Sequence, residues 1–172
     1  RDGDAIIAQN FRTTMRLWHW CAEHKVRLIY ASSAATYGDG VAGFDDDQEP
    51  AALAKLRPLN AYGWSKHLFD RRAVRLAAAG RKPPRWAGLK FFNVYGPNEY
   101  HKGSQLSVAW QIHQRVKTGE PAKLFKSYEA KYPDGGQLRD FVWVGDCVDV
   151  ALWVQGNADG IDRKSTRLNS SH

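Results

Sequence analysis

A chain of 172 residues, 43% hydrophobic and 25% charged, is long enough for one domain with its own core and too short for a two-domain enzyme. Its formal net charge of +7 is scattered, with no basic helix and no basic–aromatic interleaving. That argues against nucleic acid as a partner and suits an anionic nucleotide ligand. No stretch approaches the roughly 18 apolar residues of a membrane span, so no membrane partner is expected.

The chain opens on Arg1-Asp2-Gly3-Asp4, neither a start Met nor the apolar block of a signal peptide, so its true start is expected upstream. From Asp4 to His24 the apolar positions Ile6, Ile7, Phe11, Met15, Leu17, Trp18 and Cys21 recur at helical spacing. Val26 to Ala31 reads as a short buried strand ending in Ser-Ser, followed by an acidic loop through Asp45-Asp46-Asp47-Gln48-Glu49-Pro50. Ala61 to Ala79 is predicted as a second helix, stopped by Gly80. Trp86 to Phe92 is the next strand, and Ser104 to Lys117 a third helix. Lys123-Leu124-Phe125 is predicted as a short strand, then come the turn Tyr132 to Gly136 and a strand from Phe141 to Val144. Asp146 is placed as the cap of a last helix carrying Val148, Val150, Ala151, Leu152 and Trp153. Buried strands alternating with helices argue for an α/β fold, a parallel sheet with helices on both faces.

Two cysteines, Cys21 and Cys147, lie on apolar helical faces without Cys-x-x-Cys spacing, as expected of reduced core thiols. The six histidines have no Cys or acid at ligand spacing, so no metal is expected. Asp162 to His172 has no apolar periodicity and is expected to be an in-frame translation of a sequencing-adapter oligonucleotide, set apart from a domain over 1–161. That tail contributes +2, which leaves +5 for the remainder.

Three segments carry chemistry. Tyr62 and Lys66 stand four residues apart on a helix and share one face. An ammonium one turn from a phenol favours the phenolate, which equips Tyr62 as a general acid or base. The plain alternative is a surface Tyr beside a surface Lys. Ser33 ends a buried strand about 30 residues earlier, where a parallel sheet places its ligands; the alternative is a hydroxyl satisfying its own strand terminus. The third segment is Phe92-Asn93-Val94-Tyr95-Gly96-Pro97, running on to His101-Lys102-Gly103-Ser104.

Together these resemble the extended short-chain dehydrogenase/reductase family, which includes sugar-nucleotide epimerases and dehydratases. The resemblance covers nearly all of residues 5–156. It implies the central portion of a doubly wound, Rossmann-like parallel sheet, and a cytoplasmic enzyme whose full-length form is a homo-oligomer. Its finer features, the His101-Lys102-Gly103-Ser104 segment above all, look like the branch that inverts C6'' of an ADP-linked glycero-manno-heptose for lipopolysaccharide synthesis. The resemblance implies NADP as cofactor, with NAD possible. It makes Tyr62 and Lys102 the two acid/base groups, Ser33 the partner of the reacting oxygen, and Lys66 the residue that holds cofactor and tunes Tyr62. Asn10 and Val94, with Tyr62 and Lys66, fall on cofactor positions. Asn93, Ser104, Phe125, Lys126, Ser127 and Arg139 fall on substrate positions, as does Gln111, where relatives carry a His.

The glycine-rich turn that grips a pyrophosphate is expected upstream, in about 80 further residues, and a substrate-domain remainder is expected after Ile161. Other readings stay open: a UDP-hexose 4-epimerase, a dehydratase, or a fragment inactive in isolation. A dehydratase would carry an acidic pair beside the strand-end Ser, where this chain has Ala34-Ala35.

Overall fold

The computed structural model describes residues 3–128 and 130–157, without the side chain of Ser104. The tail from Asp162 to His172 lies outside the described residues. The chain forms two compact units, one running to Phe92 and resuming at Asp149, the other spanning Asn93–Val148.

In the first unit, α1 (Gly3–Glu23) leads to β1 (Leu28–Ser33) and a 3-10 turn over Ala34–Tyr37. A short α2 (Pro50–Leu53) precedes α3 (Ala61–Ala78) and β2 (Trp86–Phe91). β1 and β2 pair in parallel, Leu28 opposite Trp86 and Ser33 opposite Phe91. The second unit holds β3 (Asn93–Tyr95), a 3-10 segment (Tyr100–Gln105), α4 (Val108–Lys117) and β4 (Phe141–Trp143). There β3 pairs with β4 in parallel. α5 (Val144–Gly156) runs from the second unit into the first.

The alternation of β1 and β2 explains the layers of the first unit. Leu28, Tyr30 and Trp86 pack with Trp18, Cys21, Phe69, Ala73 and Leu76 from α1 and α3. Ile29, Ala87, Leu89 and Phe91, on the other face, pack with Val150, Ala151 and Val154 of α5. Successive strand residues point to opposite faces, so two faces buried by helices give the continuous apolar runs read in the sequence. Trp18 is fully buried and its indole N–H donates to the Arg81 carbonyl at 2.9 Å. Its ring meets Phe69 and Trp86 edge-on at 5.9 and 5.0 Å.

Several expected boundaries move. β1 starts at Leu28 rather than Val26, because the Val26 amide closes α1 by donating to the Cys21 carbonyl at 2.9 Å. Lys25 sits between them at φ +57°, as in a helix-ending Schellman turn. The third helix begins at Val108, four residues later than expected, where the Ser107 hydroxyl accepts from the Trp110 N–H. Lys123–Phe125 forms no strand; it lies in a loop in which the Gly135 N–H donates to the Phe125 carbonyl. Asp146 sits inside the first turn of α5 and does not precede it as a cap. Both cysteines are free and buried, as expected.

Candidate active site

The first unit builds its site at the carboxyl end of β1. Ser33 Oγ accepts the Ala35 N–H at 3.2 Å and starts the 3-10 turn. The neighbouring Ser32 is buried and turns the other way, donating to Asp70 at 2.6 Å. Ser33 is therefore the serine of the pair at the strand mouth.

Asn60 caps α3, its Oδ1 accepting the Gly63 N–H at 2.8 Å. That places Tyr62 in the first turn, 44% exposed, and Lys66 one turn on. Lys66 Nζ lies 5.8 Å from the Tyr62 ring centre and donates to the Ala31 carbonyl of β1 at 2.8 Å. Burial pushes the Lys66 ammonium below the ordinary lysine range, opposed by the charge of Asp70 one further turn along. Gly63 makes the close approach possible. A Cβ there would stand 2.7 Å from the Ala35 carbonyl oxygen and 3.0 Å from Pro58 Cβ. Asn10 of α1 joins the same helix, its amide donating to Ser65 Oγ at 3.0 Å while the Ser65 hydroxyl donates to the Tyr62 carbonyl at 2.7 Å. Ser33, Tyr62, Lys66 and Asn10 are thus tied to one helix start and one strand end.

Behind them lies a buried polar group that sequence reasoning missed. Asp70 accepts from the hydroxyls of Tyr30 and Ser32, at 2.9 and 2.6 Å. It pairs with Lys90 of β2 at 3.4 Å. Lys90 donates to Thr36 Oγ1 at 2.7 Å, and the Thr36 hydroxyl donates to the Ser33 carbonyl at 2.8 Å. Burial, then the adjacent Asp70 charge, drives the Tyr30 phenol well above its ordinary value, so it serves only as a donor. The available signal was an Asp four residues after Lys66, together with a Lys inside the apolar run Trp86–Phe91.

The second unit carries the remaining candidates. Val94 lies in β3 opposite Val142. The Asn93 amide donates to the Asp140 carbonyl at 2.9 Å, beside Arg139. Arg139 is exposed and donates to the Leu138 carbonyl at 2.9 Å. Phe125 is 64% exposed and Lys126 is exposed. Ser127 is half-buried, its N–H donating to Asp134 at 2.6 Å. The Gln111 amide turns back onto the Leu106 carbonyl at 2.8 Å. Lys102 sits in the 3-10 segment, its side chain 37% exposed. The next residue, Gly103, has φ +55° and ψ −122°, a conformation open to glycine. The Ser104 side chain lies outside the described atoms.

Gly38, Gly40 and Gly43 have the Gly-x-Gly-x-x-Gly spacing and follow a strand, but turn and loop follow them instead of a helix. They offer no helix N-terminus to a pyrophosphate. A cavity of about 820 Å³ opens at the amino ends of β1 and β2, between Leu28, Trp86 and Ala151. It holds none of the candidate groups. Among the described residues, no cluster of His, Cys, Asp and Glu could hold a metal ion.

The parallel pairing, the helices on both faces of β1–β2 and the Ser–Tyr–Lys set at the strand end define a Rossmann-like α/β protein of the short-chain dehydrogenase/reductase type. Residues 1–166 match the NAD dependent epimerase/dehydratase family, and the chain belongs to it. It is 49% identical over 156 residues to an ADP-L-glycero-D-manno-heptose-6-epimerase of Fusobacterium nucleatum, covering 91% of this chain and 46% of that protein. A protein of the same name from Nitratidesulfovibrio vulgaris strain DP4 is 48% identical over 157 residues, covering 91% and 47%. Among solved structures, the Helicobacter pylori ADP-L-glycero-D-manno-heptose-6-epimerase superposes with a TM-score of 0.68 at 26% identity, over 96% of this chain and 46% of that one. MoeE5 in complex with UDP-glucose and NAD gives 0.66 at 31% identity, over 95% and 49%. The chain spans about half the length of the curated relatives it matches.

Proposed function

We propose that this chain is the central part of an enzyme that inverts C6'' of an ADP-linked glycero-manno-heptose, by transient oxidation and re-reduction, with NADP as its cofactor. The observation that carries the reading is at the end of β1. There the Lys66 ammonium is fixed to the Ala31 carbonyl and the exposed Tyr62 stands one turn away. Relatives named for this activity, at 48–49% identity over 91% of the chain, support the choice of sugar.

The donor set fits the ribose of a nicotinamide cofactor. An ammonium has three donors; one Lys66 proton goes to Ala31, which leaves two that would hold the ribose hydroxyls. When bound, the cofactor supplies the acceptor for hydride from the carbinol carbon and the donor for its return to the opposite face. Inversion of a carbinol centre without an acidic C–H requires that detour. Tyr62 takes the hydroxyl proton on one side, while Ser33 donates a hydrogen bond to the same oxygen. Once the carbonyl has turned, its oxygen needs a proton from another direction, and Lys102 provides it. The Arg139 fork suits a diphosphate, and Phe125 offers an apolar face to adenine. Asn93, Ser104, Gln111, Lys126 and Ser127 contact the substrate, and Asn10 and Val94 the cofactor.

A cytoplasmic location accords with the two free, buried thiols. No helix among the described residues is long and apolar enough to cross a membrane. Self-association of the full-length enzyme accords with exposed Leu17 and Trp20 on α1.

The test is to read the gene outward from both ends of this segment, express the full-length enzyme and follow ADP-heptose by proton NMR. Inversion at C6'' is expected. Turnover of a UDP-hexose with none of ADP-heptose would overturn the assignment.

A further inference from the structure

We propose that Glu99 is a positioning residue for Lys102: its buried carboxylate anchors the turn that carries Lys102 and holds the head group of that side chain in place. This rests on the reading of Lys102 as the second proton station.

Glu99 is 4% exposed, and four donors from three parts of the second unit converge on its carboxylate. Oε1 accepts the Gly96 N–H at 3.0 Å, from the end of β3, and the Ser107 hydroxyl at 2.8 Å. Oε2 accepts the Ser107 N–H at 2.9 Å, at the start of α4, and Lys102 Nζ at 3.3 Å. The Glu99 carbonyl also accepts the Lys102 N–H at 2.9 Å. One residue therefore fixes the strand end, the helix start and, through its carbonyl and its carboxylate, the backbone and head group of the lysine between them.

The chemistry follows from the inventory of donors. A buried carboxylate is costly without a counter-charge, and Lys102 is the charged group that reaches it. Burial by itself would raise the Glu99 carboxyl. The hydrogen bonds from Ser107 and Gly96, with that from Lys102, outweigh it and bring it down to about 2, so Glu99 stays ionised throughout the working range. Lys102 spends one of three ammonium protons on Glu99 and remains partly exposed. Two protons are left for a substrate oxygen. Glu99 fixes where that ammonium stands.

The experiment uses the full-length enzyme, with kcat and KM measured separately. Glu99→Gln is expected to lower kcat roughly tenfold or more with KM little changed, because the ammonium is no longer held in place. On a Lys102→Met background Glu99→Gln should change kcat/KM less than about twofold, since it acts through that lysine. An unchanged kcat in Glu99→Gln, or the same fold-loss on both backgrounds, would reduce Glu99 to a structural brace and overturn the proposal. Full activity of Lys102→Met is a different result, which removes the second station itself and this proposal with it. Should Glu99→Gln not fold, Glu99→Asp decides: it keeps the charge but draws the carboxylate back from Lys102, and should lower kcat in the presence of Lys102 but not on the Lys102→Met background. Equal losses on both backgrounds would overturn the proposal.

Discussion

Asp70 on α3 and Lys90 on β2 meet at 3.4 Å in the interior, 6% and 5% exposed. This pair ties the two halves of the candidate site together. Asp70 sits one helical turn beyond Lys66, and Lys90 reaches the Ser33 carbonyl through Thr36. A slip of α3 along β1 would break the pair.

Lys90→Met should therefore cost about 3–5 kcal/mol, because it leaves Asp70 charged and buried without its cation. Changing Asp70→Leu as well should recover part of that loss. Urea denaturation of the full-length protein, run as a double-mutant cycle, checks it. Additive costs would mean that the two residues do not support one another.

Gly63→Ala tests the packing of the helix start. The new methyl would stand 2.7 Å from the Ala35 carbonyl oxygen, which is backbone and cannot turn aside. A loss of about 1–3 kcal/mol is expected, with a lower kcat as Tyr62 moves away from Ser33. Wild-type stability in Gly63→Ala would show that α3 can start farther from the turn.

His67 is fully buried, and neither ring nitrogen has a hydrogen-bond partner. Burial, reinforced by the Lys90 charge and opposed by Asp70, lowers its pKa to about 4. The unfolded chain, with a value near 6.5, takes up the proton first. Stability is thus full above pH 6.5, falls as pH drops towards 4 and levels off below, a loss of about 3 kcal/mol from this group. His67→Leu should flatten the Tm profile over that window at little cost at pH 8, since it removes the imidazole without stranding a partner. An unchanged slope would place the acid sensitivity elsewhere.

The parts of the site legible in the sequence are those set by local rules. Tyr62 and Lys66 follow from helical spacing. Ser33 follows from an apolar run that closes on Ser-Ser at the end of β1. Asp70 and Lys90 were not legible, because an acid four residues after a lysine on a helix also reads as a solvated pair. Only the register that sets Lys90 opposite Ser32 makes them partners. Glu99 stayed hidden for the same reason, since three of its four donors are backbone groups or Ser107, which no side-chain pattern announces. Lys123–Phe125 failed in the opposite direction: strand-like residues found no partner strand and became loop.

Removing Tyr62 and Lys102 in turn tests the two proposed proton stations. Tyr62→Phe keeps the ring and its contact with Lys66 but deletes the only group of that residue that can exchange a proton. A fall in kcat of about 10²–10⁴ is expected, with KM little changed. Lys102→Ala should likewise lower kcat while leaving the binding of the nicotinamide cofactor, measured by titration calorimetry, at its wild-type level. A UDP-hexose 4-epimerase is not expected to need Lys102, so the two variants together separate the readings. Loss of turnover in both, with cofactor still bound, matches proton transfer on two sides of an inverted centre. Loss in Tyr62→Phe alone would leave one acid/base group serving both faces, and Lys102 would then be an ordinary loop lysine.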